Sequence, residues 1–193
     1  SLLTFIERLD LTDVTLVVQD WGGLLGLTVP VDMPERVSGL LIMNTGFGAG
    51  VEPTEGFVAW RDYVANTPDF DVGKLMKRSC EHLTDAEVAA YEAPFPGAEY
   101  KAGVRTFPAL VPTSPDMAGV DVSRKAMKWW SSEFEGHSFM AIGEADPVLG
   151  PVMPLIHGII KGCPEPLVLP EVGHFVQEWG EEVARTALAH WGS

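Results

Sequence analysis

The sequence predicts an α/β architecture, with parallel strands alternating with helices and one helical insertion. Three observations carry that prediction. Continuous apolar, β-branched runs at residues 16–18 and 37–43 have the hydrophobicity of strands buried on both faces. The first run stops abruptly at Gln19-Asp20-Trp21 and passes through Gly22 and Gly23 into a fresh apolar run, the pattern of a strand, a sharp turn and a helix. Between Thr45 and about Ser114 this grammar lapses into short helical stretches and scattered prolines, then resumes.

Taken in order, Leu2, Leu3, Phe5, Ile6 and Leu9 recur at helical spacing, so a first helix is expected to end near Leu9, before a turn over residues 10–13. The strand before Asp20 follows, then a helix broken around residues 30–34, then a second strand over 37–43 ending at Asn44. Such a βαβ unit implies a right-handed crossover and a parallel sheet whose ligands bind beyond the carboxyl ends of the strands. Residues 56–64 and 72–81 read as short helices, and Thr84-Asp85-Ala86-Glu87 starts another with a capping signature. Pro94, Pro96, Pro108, Pro112 and Pro115 are expected to break up what comes next. A longer helix over 121–134, a third strand over 137–142, a helix over 151–161, a short fourth strand over 166–169 and a closing amphipathic helix over about 175–190 complete the prediction. The expected organisation is residues 1–48 and 116–193 as two parts of one core, with 49–115 inserted as a helical cap.

Composition narrows the function. At 193 residues and 46% hydrophobic content the chain can bury a sizeable core. Thirteen basic against 27 acidic residues give a net charge of −14, which argues against nucleic acid or an anionic membrane surface as partner and leaves a neutral small substrate unhindered. Cys80 and Cys163 form neither a CxxC nor a metal-ligand pattern, so free thiols in a reducing compartment are expected, and no metal site is. Neither a membrane-span-length apolar run nor a signal-like opening is present, which sets a cytoplasmic location as the expectation. The opening residues, with Ser1 in place of Met and a helix-interior pattern at once, suggest a piece of a longer protein. No internal repeat or low-complexity segment stands out.

Polar residues just beyond strand ends are the candidates for chemistry. Asp20 sits at the tip of the first turn, where free N–H groups favour its anion and a nucleophilic role; the plainer reading is a helix cap. Asp146 follows the third strand in GEADPVLGP, with Glu144 as an alternative carboxylate, and His174 follows the fourth in EVGHFVQEWG. Nucleophile, acid, then histidine is a recognised order for a hydrolytic triad in this class of fold. His137, at a strand start, and His82, His157 and His190, on expected helices, read as structural or solvated.

VVQDWGG, GFVAW, MAIGEADPVLGP, GCPEPL and GHFVQEWG resemble the haloalkane dehalogenases of the α/β-hydrolase superfamily, in the subgroup that holds halide between two tryptophans. The resemblance implies an α/β-hydrolase fold with a cap. It implies Asp20 as nucleophile, His174 as general base, Asp146 as its acid partner, Trp21 and Trp60 as halide donors, and Phe57, Phe107, Pro108, Val148 and Leu149 as pocket walls. It implies no cofactor or metal, a small halogenated hydrocarbon as substrate and, for the full-length protein, a monomer. Some dehalogenases carry the acid at the end of the second strand, where this chain has Asn44, so Asp146 fits the two-tryptophan pattern. DWGG also occurs in epoxide hydrolases, which use acidic hydroxyls for the leaving alkoxide; Tyr63, Tyr91 and Tyr100 keep that alternative open, alongside a non-catalytic remnant. The strands and oxyanion loop that precede the elbow in these dehalogenases have no counterpart here. The expected sheet is therefore the C-terminal half of the fold, with an unpaired edge and exposed apolar surface at the elbow strand.

Overall fold

The computed structural model describes residues 1–192. Helix α1 (Leu2–Arg8) leads into β1 (Val14–Asp20), which is followed at once by α2 (Trp21–Gly26) and a single turn, α3 (Val29–Asp32). Pro30 lies in the first turn of α3, where its missing N–H has no helical partner to lose. Strand β2 (Val37–Thr45) ends the first βαβ unit. The helical stretch that follows comprises α4 (Glu55–Asn66), α5 (Val72–Ser79), α6 (Asp85–Glu92) and α7 (Ala102–Leu110). Helices α4, α5 and α6 are capped by the side chains of Thr54, Asp71 and Thr84, and Thr84 with Glu87 closes a reciprocal capping box. The chain returns through α8 (Val120–Ser132), β3 (His137–Gly143), α9 (Met153–Ile159), β4 (Leu167–Leu169) and α10 (Gly180–Trp191).

Three details depart from expectation. Pro108 does not break α7; it sits near its C-terminal end, so one helical hydrogen bond is given up rather than the helix. His82 lies in the turn between α5 and α6 and not on a helix, because α5 stops at Ser79. The closing helix is split, with a 3-10 turn over Val176–Trp179 preceding α10. Val176 there is fully buried against the sheet, so packing dictates the local path.

The four strands are parallel, and their order across the sheet is their order in the chain. Alternation along them divides the core. Leu40, Ile42, Met140 and Ile142 pack with Ile6, Trp130, Met153 and Ile156 from α1, α8 and α9. Leu41, Met43, Phe139 and Ala141 pack on the other side with Val183 and Ala187 of α10. Val64, Phe70, Met76 and Leu83 form a third cluster within the helical stretch, joined by Phe175 and Trp179 from the loop after β4. Strand β1 borders the sheet, and Val17, in register with buried Leu41, is 62% exposed. Among the described residues no helix is long and apolar enough to cross a membrane. Both cysteines are free thiols, Cys80 buried and Cys163 half-buried.

Candidate active site

The chain reverses from β1 into α2 at Asp20, whose backbone holds φ 47° and ψ −122°. A non-glycine residue at positive φ is strained, and it persists because the surroundings fix it. Thr45 at the end of β2 donates its hydroxyl to the Asp20 carbonyl at 2.5 Å, and Gly23 lets α2 approach so closely that a methyl at that position would overlap the Thr45 side chain. The Asp20 side chain makes no capping hydrogen bond to α2, so the plainer cap reading fails, and its carboxylate opens onto a cavity.

Asp146 lies in the loop after β3 and is fully buried. One carboxylate oxygen, Oδ2, accepts from Asn44 Nδ2 and from His174 Nδ1, both at 2.9 Å, while Oδ1 accepts from the Val148 N–H at 2.8 Å. Burial alone would raise this carboxyl, but the His174 hydrogen bond and charge, with Asn44 and Val148, hold it below the usual carboxylate range. Glu144 is exposed and makes no such contact. Gly143 permits the close approach of the loop carrying His174, since a side chain there would meet the Val172 and Gly173 carbonyls.

His174 Nε2 stands 3.5 Å from Asp20 Oδ1, so the three side chains form a line from cavity to interior. Burial disfavours charge on His174, but the hydrogen bonds and charges of Asp146 and Asp20 outweigh it and push the imidazole up to about 9. Its two acidic neighbours thus favour the charged form of the ring. Two further residues join the site without having been singled out from the sequence for these contacts. Asn44, fully buried, donates to the Gly143 carbonyl and to Asp146 and accepts from the Gly143 N–H. Gln19 donates to the His174 carbonyl at 3.0 Å, with the same nitrogen 3.3 Å from His174 Nε2. Their signal was positional: both stand at carboxyl ends of neighbouring parallel strands.

The cavity above this line measures about 1460 Å³. Trp21 and Trp60 both line it, as do Phe57, Phe107, Pro108, Val148 and Leu149. Trp21 packs edge-on against Phe107 at 4.8 Å, and Trp60 against Phe70 at 5.9 Å. Of the three tyrosines, Tyr63 lines the cavity, Tyr91 donates to Glu178, and Tyr100 is exposed. His82 lines the cavity and packs on Trp179; His137 pairs with Thr15 at the opposite end of the sheet. Among the described residues no cluster of three or more His, Cys, Asp or Glu side chains is arranged to hold a metal.

No family model matches the chain. It is 37% identical over 192 residues to a haloalkane dehalogenase of Mycolicibacterium paratuberculosis, covering 97% of this chain and 63% of that protein. It is 39% identical over 191 residues to haloalkane dehalogenase 1 of Mycobacterium bovis, covering 96% and 63%. The structure of the tetrameric haloalkane dehalogenase DpaA from Paraglaciecola agarilytica NO2 superposes with a TM-score of 0.93 at 44% identity, over 97% of this chain and 64% of that one. The chain thus spans about 63% of the length of the curated relatives it matches.

Proposed function

This chain is a homologue of haloalkane dehalogenases with the α/β-hydrolase fold, and on that footing we propose that it hydrolyses the carbon–halogen bond of small haloalkanes. The observation that carries the proposal is the line of Asp20, His174 and Asp146 opening onto an apolar cavity that also presents two indoles.

Asp20 attacks the halogen-bearing carbon, the carbon–halogen bond breaks, and an alkyl ester forms on the carboxylate. Halide leaves toward Trp21 and Trp60; an indole N–H offers a donor and no acceptor, which suits a weakly hydrated anion. Esterification removes one of the two negative charges that favour the His174 imidazolium, so a larger fraction of the imidazole gives its proton to solvent and becomes a base. It then deprotonates a water that attacks the ester carbonyl of Asp20. The bond between the acyl carbon and the alkoxy oxygen breaks, the departing alcohol takes the remaining proton of the added water, Asp20 returns as a carboxylate, and His174 retains the first proton. Asp146 holds Nδ1–H throughout and balances the charge. The amides that open α2 have no intrahelical acceptor and would serve as donors to the oxyanion of the hydrolytic step. Residues 49–115 act as the cap, supplying Phe57, Trp60, Phe107 and Pro108 to the roof of the cavity. No cofactor enters this sequence of steps.

The test is bromide release from a short bromoalkane by this chain and by Asp20→Asn, with an epoxide assayed in parallel. Release by the parent and loss of turnover in the variant support the mechanism. Diol formation without bromide release, or no reaction from folded, monodisperse protein, refutes it.

A further inference from the structure

The side-chain amide of Gln19 reaches from the end of β1 to the loop that carries His174, and both acceptors it meets belong to that one residue. They are the main-chain carbonyl at 3.0 Å and the imidazole Nε2 at 3.3 Å. A carbonyl oxygen can only accept, so it is the amide nitrogen of Gln19 that faces His174, and a primary amide has two N–H groups for these two acceptors. Nε2 accepts only when it carries no proton. Asp146, 2.9 Å from Nδ1, selects the neutral tautomer in which Nδ1 keeps the hydrogen and Nε2 has the free lone pair.

We propose that Gln19 is a positioning residue that anchors the His174 loop and stabilises the neutral, Nε2-accepting form of the imidazole. This role rests on the hydrolytic reading above, in which His174 must give up its proton once Asp20 has become an ester. Asp20 and Gln19 compete for the same ring nitrogen. While Asp20 is an anion, the protonated ring directs Nε2–H toward the carboxylate 3.5 Å away, and the Gln19 N–H faces a proton it cannot bond. When the ester forms, that attraction disappears and the Gln19 N–H finds a lone pair. A donor aimed at the neutral form promotes proton loss, opposing the two carboxylates. The attacking water then displaces the longer contact to Nε2, while the shorter bond to the carbonyl keeps the amide in place. The charged groups acting on the imidazole are Asp20 from β1 and Asp146 from the loop after β3; Arg78, Glu81 and Glu171 line the same cavity.

The experiment compares the chain with Gln19→Met, which keeps length and loses both donors. Carbon-13-labelled histidine reports the titration of His174, and rapid-mixing bromide release from 1-bromobutane separates ester formation from ester hydrolysis. The variant is expected to titrate His174 higher by roughly half a unit to one unit, the amount one hydrogen bond supplies. Its bromide burst should persist while steady-state turnover falls about three- to tenfold. An unchanged His174 midpoint overturns the proposal. Should the variant not fold, the Gln19 side-chain N–H resonances of the parent chain decide: they must shift with the same midpoint as His174, and resonances that stay fixed through that titration refute the contact. Absence of bromide release from the parent chain would sink the dehalogenase reading, and the two titrations would still decide the Gln19 contact.

Discussion

Replacing Asp20 with Asn removes one negative charge beside His174 while keeping the side chain's size, so the variant imitates the electrostatics of the proposed ester without any substrate. The two charges stand 3.5 Å apart. At that distance a pair of unit charges interacts by about 1.2 kcal/mol in bulk water and about 4.7 kcal/mol at an effective dielectric constant of about 20. The Asp20 side chain is 44% exposed, so solvent screening holds the interaction near the lower end, at about 1–2 kcal/mol. One pKa unit corresponds to about 1.4 kcal/mol, and the His174 midpoint should therefore fall by about one unit from its value of about 9. At pH 8 the neutral fraction would rise from roughly a tenth to roughly a half. Nuclear magnetic resonance titration of the five histidines reads this directly, with His174→Gln assigning the resonance. A midpoint that stays near 9, or rises, would refute the idea that the charge on Asp20 gates the base.

Stability should depend on pH through the same histidine. Its folded pKa lies above the unfolded value of 6.5, so its contribution is fully present below 6.5 and lost as pH rises through about 9. The shift corresponds to about 3 kcal/mol, or about 2 kcal/mol after screening at exposed Asp20; urea melts at pH 6 and pH 9 should show the decline in the parent and not in His174→Gln. Asn44→Leu should cost about 2–4 kcal/mol in the same melts, because it strips partners from the buried Gly143 backbone and Asp146; a neutral effect would show the network to be dispensable. Gly23→Ala should cost about 1–3 kcal/mol by forcing α2 away from Thr45, and a melt matching the parent would mean the elbow relaxes freely.

Much of this was legible locally. The run from Thr15 to Gly26 announces its strand, turn and helix because apolar periodicity and paired glycines act over a few residues, and the observed β1 and α2 follow it. The positions of Asp20, Asp146 and His174 could be read because the carboxyl ends of parallel strands converge. Hydrogen-bond partners were a different matter. Asn44 meets Gly143 across 99 residues and Asp146 across 102, and Gln19 meets His174 across 155. Those meetings depend on sheet register and loop path, which no local pattern encodes. The division of the closing helix was hidden for a related reason, since burial of Val176 is a tertiary demand on residues of ordinary helical character.

The sheet is laid down in chain order, each strand pairing with the one before it. Each pair is parallel and is joined by a crossover, so no strand reaches its partner through a short turn. Asp20 ends the first of these strands and His174 follows the last, so their contact is among the least local in the fold. After dilution from denaturant, helical signal should return before contact between Asp20 and His174. The appearance of that contact would then report a late step of folding.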